Sequence, residues 1–328
     1  MSTESCEARG TDRRPMVAGF APAAASILLP VRDYDLAATL DSGQVFRWQR
    51  QNDSWIGVVD GHRVRLTQTG DGIQAEANGP VADWQWLRDY LQTEVDLKTV
   101  LETFPDDKAM HAAIAACRGL RVLRQDPWEC LASFILSSTK QIIQIRQIVA
   151  LLCERFGEPL PLSRDGVSTL SLPGEETDEA RDAPYSNENH LSHSFPTPEC
   201  LAVVSEIELR ACKMGFRAPH LLAAARQIAN GNFDLKRPRG LPLADARAEL
   251  MKLRGVGGKI ADCVLLFAYG FDVAFPVDVW VERALRRLYF PHRRVTARRL
   301  RHFAATRFGP HAGYAQQYLF HYMRTKMK

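Results

Sequence analysis

Residues 253–263, LRGVGGKIADC, constrain the fold more than any other part of this 328-residue chain. Glycines at 255 and 257 let the backbone turn tightly, with φ > 0 where needed, so that neighbouring N–H groups point outward where the next helix begins. Such a corner can bind a phosphate, which makes Gly255, Val256 and Gly257 candidate backbone contacts to a polyanion. Leu243, Ala246, Leu250 and Leu253 recur at helical spacing before the turn, and Val256, Ile260, Val264 and Phe267 after it. Two short helices packed across a tight turn satisfy both patterns, so the unit reads as a helix-hairpin-helix.

The rest of the chain divides by periodicity. Between residues 44 and 77, short strand-forming runs (QVFRW, SWIGVV, HRVRLTQ, GIQAEA) are separated by Gln51-Asn52-Asp53, Asp60-Gly61 and Gly70-Asp71-Gly72, mostly turn residues. Helices are predicted after them at 82–91 and 107–117. From residue 126 the spacing becomes helical, with helices expected at 129–136, 141–156, 199–214, 218–230, 242–253, 259–269, 279–288, 296–308 and 312–323. The expected class is α+β: a loose tail over 1–22, a twisted antiparallel sheet domain with helices over 23–125, and an all-helical domain over 126–328. Residues 165–188 interrupt the helices with seven acids and one arginine among Gly, Pro and Ser, and are predicted to form a mobile surface loop.

A hydrophobic content of 46% over this length supports two or three packed domains, and no run approaches the ~18 apolar residues of a membrane span. The net charge of +4 conceals an asymmetry: residues 283–328 hold 12 of the 42 Lys and Arg and no acid, leaving 30 basic against 38 acidic residues elsewhere. An arginine-rich end on an acidic chain suits a polyanion, although alone it equally describes a solvated helix face. The seven cysteines are scattered, without the spacing of a zinc or iron–sulfur site, and read as reduced thiols, mostly in the core. The first 22 residues lack an apolar signal core, so an intracellular protein is expected.

Lys259 falls in the first turn of the second hairpin helix, and Asp278 follows in PVD. Displacing a base from sugar C1′ with an amine needs that amine unprotonated, and a helix start with its positive dipole end favours the neutral form. By itself GVGGK equally describes a surface lysine beside a turn. Asp278 precedes VWVERALRRL and is expected to cap that helix; a carboxylate fixed there can also steady positive charge developing on a sugar.

These residues lie within a series of motifs in order: SGQVFRW at 42–48, LRQDPWECLASFILSS at 123–138, MGFRA at 214–218, the hairpin, PVD, and GPHAGYAQQYLF at 309–320. The series resembles the helix-hairpin-helix glycosylase superfamily with its Gly/Pro-Asp signature, and within it the 8-oxoguanine DNA glycosylase family. The resemblance implies that Lys259 is the Schiff-base nucleophile and Asp278 its carboxylate partner. It implies a base pocket in which Gly43 offers its carbonyl to the N7–H of 8-oxoguanine, Gln316 reads the Watson–Crick edge, and Phe320 and Cys263 sandwich the ring. Taken singly, Phe320 and Cys263 are ordinary core residues, Gly43 an ordinary turn glycine and Gln316 an ordinary polar helix residue. Phe216 and Arg217 are similar to the family's wedge aromatic and the arginine that meets the unpaired partner base.

The chain departs from the family at Thr139, Lys140 and Gln141, where animal-type members carry three asparagines, at Gln144 in place of an arginine, and at Trp280 in place of a histidine. Thr139 is retained as a candidate DNA contact. The resemblance implies a monomeric bifunctional glycosylase and abasic-site lyase on duplex DNA containing oxidised guanine, needing no metal or organic cofactor. It would act in the cytoplasm or nucleoid of a bacterium or the nucleus of a eukaryote. The alternatives are an alkylated-base glycosylase of the same superfamily, which has no use for Lys259, and a noncatalytic DNA-binding protein, which has no use for Lys259 with Asp278.

Overall fold

The computed structural model describes residues 25–138, 140–160 and 191–326; the expected tail at 1–22, the acidic loop at 165–188 and Thr139 lie outside the described residues. The chain starts with a five-stranded antiparallel sheet of β1 (Ala25–Pro30), β2 (Gln49–Gln51), β3 (Ser54–Val59), β4 (His62–Gln68) and β5 (Gly72–Ala77), in the order β1-β5-β4-β3-β2. The Asp60-Gly61 turn has positive φ at both residues, as a two-residue hairpin matching the strand twist requires. Alternation then fixes the faces: Val64 and Leu66 on β4 oppose Ala77 and Ala75 on β5, and all four are buried. They pack with Trp48 and Trp55 beneath α2 (Gln85–Leu91).

The sheet departs from the sequence reading in two places. QVFRW is not a strand, because its polar groups are used elsewhere. The Gln44 amide donates to Thr39 O (3.0 Å) and Arg121 O (2.8 Å), its side-chain oxygen accepts Leu123 N–H (2.8 Å), and its carbonyl accepts from Gln125 (2.8 Å). The pairing segment starts only at Gln49. Conversely, ASILLP forms the edge strand β1, whose last residue, Pro30, lacks an N–H to donate.

Short helices α1 (Leu36–Leu40), α3 (Leu97–Glu102) and α4 (Lys108–Ala116) lead to the helical part. There α5 (Pro127–Leu136), α6 (Ile142–Phe156) and α9 (Ala218–Ala229) form the frame beside α10 (Leu243–Leu250) and α11 (Gly258–Val264), and α12 (Val279–Tyr289), α13 (Ala297–Arg307) and α14 (Ala312–Lys326) follow. The helix expected at 199–214 is broken. Between α5–α6 and α9 the chain forms α7 (Pro198–Val203), then restarts as α8 (Glu206–Leu209) behind a Ser205–Glu208 capping box. It ends in a π turn at Arg210–Met214, where Lys213 takes φ 61.

The hairpin joins α10 to α11. Gly255 has φ 85, and a Cβ there would stand 2.7 Å from His220 on α9, so the turn admits only glycine. Gly257 has extended backbone (φ −95), so the left-handed freedom expected of both glycines is used at Gly255 alone. Arg247 on α10 donates to Asp262 on α11 at 2.6 Å. A partly exposed pair of this kind contributes up to ~1 kcal/mol, whereas burying Ile260 or Val264 contributes ~1.5–3 kcal/mol each, so packing holds the hairpin.

Candidate active site

Lys259 is the second residue of α11, and its side chain crosses to the end of α5. Nζ donates to Ser137 Oγ at 3.2 Å and lies 5.3 Å from the centroid of the Phe134 ring. Ser137 is itself fixed, because its hydroxyl donates back to Phe134 O at 2.8 Å. Phe134 stacks on Phe267 with centroids 5.5 Å apart and meets Phe46 edge-on at 5.7 Å. The amine therefore rests against an aromatic wall with one hydroxyl to aim it. Sequence reasoning missed Ser137, although the serine pair ending LRQDPWECLASFILSS was a usable signal.

Asp278 caps α12 as expected, accepting the Val281 N–H at 2.8 Å. Burial pushes its carboxyl above the ordinary carboxylate range; the Val281 N–H and the Lys259 charge pull against that shift without cancelling it. The Cys263 thiol is pushed up to about 12 by burial, which keeps it neutral, and Lys259 and Asp278 both act on it electrostatically.

Lys259, Asp278, Gly43, Cys263, Gln316 and Phe320 line one cavity of about 790 Å³. They converge from far apart in sequence. Gly43 sits at φ 79 in the turn held by Gln44, and a Cβ on it would meet Ile142 Cδ1 at 2.8 Å and Phe320 Cε1 at 3.3 Å. Gln317 on α14 donates to Ser42 O at 3.1 Å, and Arg324 to Asp41 O, which fastens the helix bearing Gln316 and Phe320 to that turn. Gln316 is only 4% exposed, and its side-chain oxygen has no protein partner. A buried acceptor left open beside a cavity suits a ligand that donates a hydrogen bond.

Phe216, Arg217 and the hairpin residues Gly255, Val256 and Gly257 lie outside that lining. Phe216 is 60% exposed, while its neighbour Arg217 is 2% exposed with the guanidinium 4.3 Å over the Phe216 ring. Both follow the left-handed Lys213 and Gly215 (φ 60), which turn Phe216 outward. Lys140 and Gln141 line the cavity; Gln141 and Gln144 form the capping box that starts α6. Val256 is buried, so Gly255, Val256 and Gly257 can offer only backbone groups, while the neighbouring Arg254 side chain is exposed. Trp280 lines the same cavity from α12.

Comparison with known proteins gives the family of the chain. Residues 26–131 match the family model described as 8-oxoguanine DNA glycosylase, N-terminal domain, and residues 132–310 the HhH-GPD superfamily of base excision DNA repair proteins. A probable N-glycosylase/DNA lyase of Methanothermobacter thermautotrophicus is 30% identical over 90% of this chain and 95% of its own. The MBOgg1 structure with a low-affinity DNA ligand superposes with a TM-score of 0.80 at 31% identity, over 95% of this chain and all of that one. An 8-oxoguanine glycosylase/lyase of Clostridium acetobutylicum, bound to duplex DNA with cytosine opposite 8-oxoguanine, gives 0.77 at 28% identity over 92% of this chain and 99% of that one. With both halves matched and a cavity lined from both, this chain belongs to the 8-oxoguanine DNA glycosylase family of the HhH-GPD superfamily.

Proposed function

We propose that this protein is a bifunctional DNA glycosylase and abasic-site lyase that excises 8-oxoguanine from duplex DNA. The observation that carries the reading is the convergence of an amine, a carboxylate and an open buried acceptor on one cavity: Lys259, Asp278 and Gln316. The flipped base enters between Cys263 and Phe320, with Gln316 toward its Watson–Crick edge and the Gly43 carbonyl toward N7–H. Phe216 fills the vacated stack, Arg217 meets the partner base, and the hairpin amides at Gly255, Val256 and Gly257 hold a phosphate.

In the chemical step Lys259 Nζ gives up a proton and attacks C1′, the C1′–N9 bond breaks, and the base leaves with that electron pair and takes up a proton. Asp278 steadies the positive charge developing on the sugar. One proton then passes from the amine to O4′ as the C1′–O4′ bond breaks to give an imine, and loss of a C2′ proton expels the 3′ phosphate by β-elimination and nicks the strand. A protein acting in this way works in the compartment that holds the genome.

Borohydride trapping on an 8-oxoguanine duplex, read beside base release from oxidised and alkylated duplexes, tests the reading. The wild type should be trapped and should release 8-oxoguanine, while Lys259→Gln should do neither yet still bind duplex. Release of alkylated bases alone, or trapping that persists in Lys259→Gln, overturns it.

A further inference from the structure

A second groove, of about 770 Å³, opens on the other side of α12. The two cavities share the first turn of that helix. Asp278 and Trp280 line the base pocket, and Val279, Glu282 and Arg283 line the groove. Arg283 and Arg287 stand four residues apart on its wall, a rise of ~6 Å along one helix face. The Arg283 guanidinium lies 4.8 Å over the Trp280 ring, a contact that orients it while leaving its charge at the surface.

The neighbouring charges are arranged to leave the groove positive. Glu282, its acidic lining residue, is taken up by Arg286, which donates to it at 2.7 and 3.0 Å and to Val295 O at 2.6 Å. Arg286 thus braces α12 against the segment that follows it. That segment supplies Phe290, Pro291 and His292, the last at φ 62, as the opposite wall. Arg293 and Arg294 are exposed just beyond it.

We propose that this groove is a second track for the DNA backbone, in which Arg283 and Arg287 meet neighbouring phosphates of the strand whose nucleotide occupies the base pocket. Charge complementarity and continuity with the base pocket through one helical turn select this occupant. The proposal rests on the duplex-DNA reading above.

The test is equilibrium binding to undamaged duplex across a salt series, for the full chain and for Arg283→Ala/Arg287→Ala. A control, Arg50→Ala/Arg65→Ala, removes the same charge from sheet residues that line neither cavity. Each lost phosphate contact lowers the log–log salt slope by about 0.9, so the double variant should lose between about 1 and 2 of slope. The control should keep the parent slope. An unchanged slope in the double variant, or an equal loss in the control, overturns the proposal. Because undamaged DNA is the probe, the outcome is separate from the substrate reading: a chain that released no 8-oxoguanine could still lose slope, and one that released it could keep it.

Discussion

Asp278 has two separable duties, and two substitutions divide them. As a cap it accepts the Val281 N–H at 2.8 Å. Asparagine caps about as well as aspartate, whereas alanine in such a position costs roughly 1 kcal/mol (range about 0.5–2). As a charge it is held against its own environment, since burial raises its pKa above that of the unfolded chain. For an acid shifted in that direction the native state binds the extra proton, so stability falls as pH rises from the unfolded to the folded pKa, and the deficit is complete above the folded pKa. Asp278→Asn removes the charge and keeps the cap. Its melting temperature at pH 7 should equal or exceed that of the wild type, while single-turnover excision falls on the order of 10²–10³, or roughly 2.7–4 kcal/mol of lost transition-state stabilisation. Asp278→Ala should lose the cap as well and melt roughly 2–4 °C below Asp278→Asn, for a cooperative unit of this size. Thermal melts at pH 7 and at pH 4, with excision under enzyme excess, provide the readings; at pH 4 the melting difference between wild type and Asp278→Asn should shrink. Should Asp278→Asn melt as low as Asp278→Ala, the buried carboxylate would be a net stabiliser and the reasoning would fail. Near-normal excision by Asp278→Asn would leave only the cap.

Gly43→Ala should bind undamaged duplex normally but excise slowly, because its Cβ would sit at φ 79 and 2.8 Å from Ile142 Cδ1 at the pocket wall; the left-handed backbone alone costs about 1–3 kcal/mol. A melt and an excision rate both matching wild type would show that the turn yields without cost. Excision should be faster opposite cytosine than opposite adenine, with the gap narrowed in Arg217→Ala. Single-turnover rates opposite all four bases measure this, and equal rates in the wild type would refute it.

The hairpin and most of the helical frame were legible because period and turn chemistry agreed there. Gly255 had to be glycine for a reason visible in sequence, and α12 announced its cap as Asp278. The sheet was only partly legible. Residues 44–48 hold the strand-forming types Val, Phe and Trp, yet the Gln44 polar groups bind Thr39, Arg121, Leu123 and Gln125, and residue type does not report a buried polar hub. The break within 199–214 was hidden because apolar spacing continues through Ser205 and Glu208, whose reciprocal cap restarts the helix. At the site, the family motifs brought in Lys259, Asp278 and the pocket residues by number. Motifs did not convey that Ser137 aims the amine, since that contact joins residues 122 apart in sequence.

The pocket also has an order of assembly. Lys259, Cys263 and Asp278 come from one short stretch, but Gly43 lies far upstream and Gln316 and Phe320 downstream, with the Gln317–Ser42 hydrogen bond closing a separation of 275 residues. Contacts of such range form late, after the loop entropy they close has been overcome. A chain emerging from the ribosome therefore carries its nucleophile well before it carries a base-reading cavity. The base-reading cavity is complete only when α14 is docked against the turn at Ser42.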